Sequence, residues 1–130
     1  MFKRICLLAL LVPSATAASA GESGQSPEQR LQAVLQGYEP GPPQRCLATS
    51  RIRKFKIVEG AALTASVGGQ VFVNRPVNAA ALREDLIPVI EPDAGRLCSG
   101  APVALRTSAD FFNVAAVRLQ DWVPYRRIGK

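Results

Sequence analysis

The chain has 130 residues, with 16 Lys and Arg against 10 Asp and Glu, a formal net charge of +6, 48% hydrophobic residues and no histidine. A chain this long holds one domain with a modest core and leaves no room for a second. Without histidine, catalytic triads that use an imidazole base are excluded and the commonest zinc ligand is lacking; the mild positive excess favours acidic partners only weakly.

Met1, Lys3 and Arg4 open the chain with positive charge, Ile5 to Val12 is apolar throughout, and small residues follow Pro13. This is the three-part layout of a secretory signal peptide. Ala15 with Ala17, or Ala18 with Ala20, meets the peptidase requirement, so cleavage is expected after Ala17 or Ala20, with Ala20 preferred. The apolar run falls far short of the roughly 20 residues that cross a bilayer. Cys6 lies inside that run rather than directly after it, which argues against a lipid anchor. The expected organisation is a leader over residues 1–20, an N-terminal segment over 21–43 and a β domain over 44–130. The mature part, about 110 residues with a net charge of about +4, is expected in the periplasm or outside the cell with no transmembrane segment.

In Ser26-Pro27-Glu28-Gln29 an N-cap residue precedes proline at the first helical position, and glutamine follows three residues after the cap, so a short helix begins here. Leu31, Val34, Leu35 and Tyr38 share one stripe of it, and Gly37 with Pro40 supplies the stop. Pro40-Gly41-Pro42-Pro43 reads as a stiff connector. Cys46 and Cys98, the two cysteines of the mature part, are expected to form a disulfide in an oxidising compartment. Closing a loop of about 52 positions stabilises by up to roughly 4 kcal/mol in the chain-entropy account. A redox or metal pair is disfavoured, because there is no C-x-x-C spacing.

From Arg51 onward, short runs rich in Ile, Val, Phe and Thr alternate with Gly, Pro or polar breaks, the pattern of antiparallel strands. Strands are predicted near 52–58, 62–67, 70–74, 86–90, 103–107 and 114–122, with a helical turn near 79–83. Pro88 and Pro92 mark a sheet edge or an irregular crossing. Gly68-Gly69 supplies the positive φ angles of a tight hairpin turn. Val67 then faces Gln70 and Ala65 faces Phe72 on one side of the sheet, with Ser66 opposite Val71 and Thr64 opposite Val73 on the other. Neither side is cleanly polar. The expected fold is therefore mainly β: a small antiparallel barrel or curled sheet of about six short strands, with one N-terminal helix behind it and one disulfide.

No phosphate loop, dinucleotide fingerprint or calcium loop occurs, and no cofactor is expected. Glu84 with Asp85, and Glu91 with Asp93, are the carboxylate pairs closest in sequence, and they read as loop surface. Arg51, Arg53, Lys54 and Lys56 form the densest basic cluster. It reads either as a charged edge strand or as a contact for phosphates of lipopolysaccharide, teichoic acid or nucleic acid. Phe55 alone interleaves these charges, which argues against a stacking platform for nucleic-acid bases. Near the end, Asp121-Trp122-Val123-Pro124-Tyr125-Arg126-Arg127 concentrates aromatic and basic residues; Trp122 either completes the core or joins an exposed binding patch. The candidate partner-contacting residues are thus Arg51, Arg53, Arg75, Trp122, Tyr125, Arg126 and Arg127.

Pro42-Pro43, Cys46, Ile52, Val71-Phe72-Val73-Asn74-Arg75-Pro76, Leu97-Cys98 and Val123-Pro124-Tyr125-Arg126-Arg127 together resemble a family of small exported proteobacterial proteins of unknown function. The likeness runs from about Gly41 to Arg127. Family members often carry four cysteines, whereas this chain has none near Ala80 and Ala116, and Ser99-Gly100 stands where an acidic residue tends to follow the Leu-Cys element. The resemblance implies architecture and a Gram-negative periplasm, and no activity.

The leading expectation is a non-enzymatic periplasmic protein that binds an envelope polymer or another protein through its basic and aromatic surface. It requires Arg51, Arg75, Tyr125, Arg126 and Arg127 to meet in space. The alternatives are an inhibitor or accessory subunit of a secreted enzyme, which predicts a protruding loop between Pro92 and Pro102, and a histidine-independent enzyme, which needs Glu84, Asp85, Glu91, Asp93 or Asp121 to converge in a pocket.

Overall fold

The helix starts where its capping box requires. In a computed structural model that describes residues 9–13, 24–91 and 93–129, the Ser26 hydroxyl accepts from the Gln29 amide, and the Gln29 side chain accepts from the Ser26 amide. Helix α1 spans Pro27–Val34. Leu31 and Leu35 are buried, whereas Val34 is 46% exposed, so the inward stripe is narrower than the periodicity suggests. Tyr38 has left the helix altogether, because the chain turns at Gly37 with φ +84°. Most of the expected leader, including both cleavage positions, lies outside the described residues, as does Pro92. Among the described residues, no helix is long and apolar enough to cross a membrane.

Ten short strands follow: β1 Tyr38–Pro40, β2 Cys46–Ala48, β3 Lys54–Val58, β4 Ala62–Val67, β5 Gln70–Asn74, β6 Leu86–Val89, β7 Arg96–Cys98, β8 Pro102–Thr107, β9 Asn113–Arg118 and β10 Trp122–Arg127. They form three antiparallel sheets, ordered β1-β10-β5-β4-β3, β2-β7 and β6-β8-β9. The protein is mainly β with one helix, but the sheets do not close into a barrel, and ten strands replace the six expected. Three of the four additional ones, β1, β2 and β7, are three-residue strands, too short to carry a hydrophobic period, and the fourth comes from the division of the strand expected over 114–122. One of them, β1, begins at Tyr38, read as the end of the helix stripe, and reaches only the first residue of the expected connector; beyond it Gly41 and Gln44 donate their amides to the carbonyls of Pro124 and Trp122.

The β4–β5 hairpin has the register expected from its glycines, with Val67 opposite Gln70, Ser66 opposite Val71, Ala65 opposite Phe72 and Thr64 opposite Val73. Gly68 and Gly69 both take positive φ, +55° and +53°, the left-handed pair that lets a two-residue turn match the strand twist. Both faces of this sheet are covered, which explains why neither is polar. One face packs Leu63, Ala65, Phe72 and Trp122 against Leu47 and Leu97 of the small ribbon and Leu86, Val103, Leu105 and Val117 of the third sheet. The other packs Val58, Ala62 and Val73 against Leu31 and Leu35 of the helix. The helix comes so close that a Cβ on Gly60 would stand 2.9 Å from Pro27 Cγ.

The strand expected over 114–122 is two strands in different sheets. Between them the fully buried Asn74 side chain donates to the Gln120 carbonyl and accepts from the Gln120 amide. Leu119 meanwhile exchanges amide and carbonyl with Ala101 and Gly100. One asparagine thus completes the backbone hydrogen bonds where the chain crosses from the third sheet to the first. Asn78 does similar work on β9, its amide donating to the Ala116 carbonyl and its oxygen accepting from the Arg118 amide.

Cys46 and Cys98 stand directly opposite each other in the β2–β7 ribbon and form a disulfide with an S–S distance of 2.08 Å. Replacing both by serine is expected to lower unfolding stability by about 2–4 kcal/mol in urea titrations. Asn74→Leu is expected to cost about 2–3 kcal/mol, because the backbone amide and carbonyl of Gln120 lose their partner; a loss below about 0.5 kcal/mol (about half of one typical net hydrogen bond) would show that water replaces the side chain.

Candidate anion-binding site

The seven candidate residues do not form one cluster, so the meeting of Arg51, Arg75, Tyr125, Arg126 and Arg127 that the leading expectation required is not found, and any binding surface has to be built from a different set. Arg51 ends a 3-10 turn over Thr49–Arg51, not a strand as its neighbours suggested. It lines a cleft of about 340 Å³ with Arg96, Gln44, Val67 and Phe72. Arg53 and Arg127 line a second cleft of about 290 Å³ with Tyr38, Ser66, Val71 and the hairpin glycines. Arg75 and Tyr125 line a third cavity of about 370 Å³ with Gln120 and Asp121. Arg126 lies opposite Glu39 in the β1–β10 register and is exposed. Trp122 is fully buried, its indole N–H donating to the Leu97 carbonyl at 2.9 Å and its ring meeting Phe55 edge-on at 6.4 Å between centroids. It belongs to the core and offers no surface to a partner, which corrects its place among the contact candidates.

The first two clefts adjoin, since Val67 lines both. The sheet register puts Val67 and Phe72 on one face of the hairpin and Ser66 and Val71 on the other, so the clefts flank the hairpin end. Together their walls carry four arginines and no carboxylate. Among the described residues none of these arginines has a carboxylate within 4.0 Å, and the same holds for Arg45, Lys54, Lys56 and Arg126. Arg127 rests over the Tyr38 ring, 5.5 Å from its centroid, which fixes its direction without neutralising it.

Arg96 and Tyr38 were missed in the sequence. Arg96 had a signal, since pairing Cys46 with Cys98 in an antiparallel ribbon sets Ala48 against Arg96, only three residues from Arg51. Tyr38 had none, because its stripe position suggested a helix.

At the far end of the sheet the charges pair. The Arg75 guanidinium grips both oxygens of Glu28 at 2.6 and 2.9 Å, Arg83 pairs with Asp85, and Arg30 lies 4.0 Å from Glu59. Arg75 is therefore committed to the helix rather than to the hairpin clefts. Its hydrogen bond holds the Glu28 carboxyl below its ordinary value, and the Arg83 hydrogen bond does the same for Asp85.

The carboxylates do not converge. Asp121 is the one acid in the cavity with Arg75, and Glu84 is the one acid in a cavity of about 420 Å³ beside the helix. Glu91 and Asp93 line neither. Among the described residues no group of three His, Cys, Asp or Glu side chains is placed to hold a metal ion. The 93–102 stretch is stitched down: Thr49 donates its hydroxyl to the Ala94 carbonyl and its amide to that of Gly95, and Ser99 donates its amide to the Arg45 carbonyl. No family model matches the chain, and neither a curated protein nor a solved structure matches it.

The Glu28 shift has a pH consequence. Since its folded value lies below the ordinary 4.5, its contribution is complete above that pH and is lost as pH falls through the folded value. Both partners are about half exposed, so the effect is at most about 1 kcal/mol. Glu28→Gln should therefore match the parent near pH 3 in urea midpoint and fall slightly below it at pH 6; equal offsets at both pH values would remove the ion pair as the cause.

Proposed function

We propose that this chain is an exported, non-enzymatic binding protein of the periplasm whose partner is an anionic component of the cell envelope. One observation carries this reading: two adjoining clefts at the β4–β5 hairpin end present four arginines with no carboxylate in their walls. Guanidiniums without a carboxylate partner keep their donors free, and a bound anion accepts paired hydrogen bonds from them. The basic start and apolar run of residues 3–12 support export. The disulfide suits an oxidising compartment.

The chain, produced with its own leader in a Gram-negative host, is expected in the osmotic-shock fluid and should be retained on isolated envelope membranes. Retention should fall as NaCl is raised from 50 to 300 mM, which shortens the Debye length about 2.4-fold. The double variant Arg51→Gln/Arg127→Gln should be retained less at every salt concentration. Retention that ignores both salt and the double variant would defeat the proposal, as would a product that stays in the cytoplasm.

A further inference from the structure

Resting on that reading, we infer that the two clefts act as one site for a linear phosphate-bearing glycan that straddles the β4–β5 hairpin. The first cleft lies on the face of the hairpin end that carries Val67 and Phe72, the second wraps the tip, lined by Ser66 and Val71 of the other face together with Val67 and Gln70, and the two meet at Val67. A compact anion fills one of them, with the hairpin between it and the other pair of arginines. A chain that carries anionic groups at intervals and passes over the glycine turn engages both pairs.

The geometry of the turn suits such a crossing. Nothing lies within 4 Å of where a Cβ would stand on Gly68 or Gly69, so the crest between the clefts is bare backbone, and a polymer can lie close against it. Arg53 leads into β3, and Arg127 ends β10. Three inter-strand steps separate those strands in the sheet, about 14 Å of backbone spacing. This second pair is therefore spread across the width of the sheet, as contacts to successive groups on a chain require.

Phosphate is the group these residues fit best, because guanidinium recognises it through paired hydrogen bonds. The polymer backbone is a glycan rather than a nucleic acid because the clefts offer bases no free ring to stack on. Phe72 is 6% exposed, and one face of the half-buried Tyr38 ring is taken by the Arg127 guanidinium. A sugar chain needs no such platform, and Gln44, Ser66 and Gln70 supply neutral hydrogen-bonding groups along the path.

The test titrates the exported protein with core oligosaccharide from lipopolysaccharide carrying its phosphates, the same oligosaccharide after dephosphorylation, orthophosphate, and a single-stranded oligodeoxythymidine. The variants are Arg51→Gln/Arg96→Gln and Arg53→Gln/Arg127→Gln, with the corresponding lysine replacements keeping the charge. The phosphorylated oligosaccharide should bind at least about tenfold more tightly than the dephosphorylated form or orthophosphate, since several contacts act on one chain. Each glutamine pair should weaken binding and flatten the slope of log K against log salt, by up to about 1 for each arginine removed. The lysine pairs should keep the slope while losing part of the affinity, which a fold defect would not do. Loss confined to one pair, or equal binding of orthophosphate, would overturn the straddled site while leaving anion binding in place. Tighter binding of the oligodeoxythymidine would overturn the glycan. No salt-sensitive binding of any anionic probe would overturn the underlying reading as well.

Discussion

Trp122 is the point at which the separate sheets become one structure. It is the largest fully buried side chain, it begins the strand that joins β1 to β5, and its backbone exchanges both hydrogen bonds with Gln44. Its indole N–H reaches the Leu97 carbonyl in the β2–β7 ribbon. A buried indole must satisfy its one donor, and here that requirement fixes the distance between the five-stranded sheet and the disulfide-linked ribbon. The first cleft lies between these two bodies, with Gln44, Phe72 and Val67 on one wall and Arg96 and Leu47 on the other. Its width is thus set by a residue that no partner touches.

The five-stranded sheet is covered on both faces, by the helix on one and by the other two sheets on the other. Only its ends and edges remain for binding. One end is occupied by the helix N-terminus, where Pro27 packs on Gly60 and Glu28 holds Arg75. The opposite end is the β4–β5 hairpin, and among the described residues nothing stands within 4 Å of a Cβ built on Gly68 or Gly69. This two-sided burial leaves the hairpin end as one of the concave regions of the surface, and it differs from the cavities at Arg75 and beside the helix in having no carboxylate in its walls.

Charge is sorted along the same axis. The carboxylates that take part in ion pairs, Glu28, Glu59 and Asp85, gather at the helix end with Arg75, Arg30 and Arg83. The arginines of the hairpin end are left without such partners. A net charge of +6 in the whole chain is too small to attract a polyanion by itself; concentrated at one end of a compact domain, the same excess becomes a local field. The disulfide contributes by holding β7 against β2 and so keeping Arg96 near Arg51.

Local chemistry alone determined several features of the protein. The capping box placed the helix start, the Gly68-Gly69 pair set both the turn and the register of β4 and β5, and the apolar character of both hairpin faces required cover on each side, since these signals act between residues close in sequence. The cysteine pair followed from count and compartment. The tertiary structure decided what depends on distant partners. β1, β2 and β7 are three-residue strands whose hydrogen bonds come from across the chain, so they leave no period to read. The break at Leu119 to Asp121 depends on Asn74, 46 positions away. Trp122, read from sequence as either core or surface, was resolved into the core by the Leu97 carbonyl. Of the basic residues, Arg51, Arg53 and Arg127 reached the hairpin clefts, while Arg75 was drawn off by Glu28, because a guanidinium goes to the nearest carboxylate and only the fold determines where that carboxylate stands.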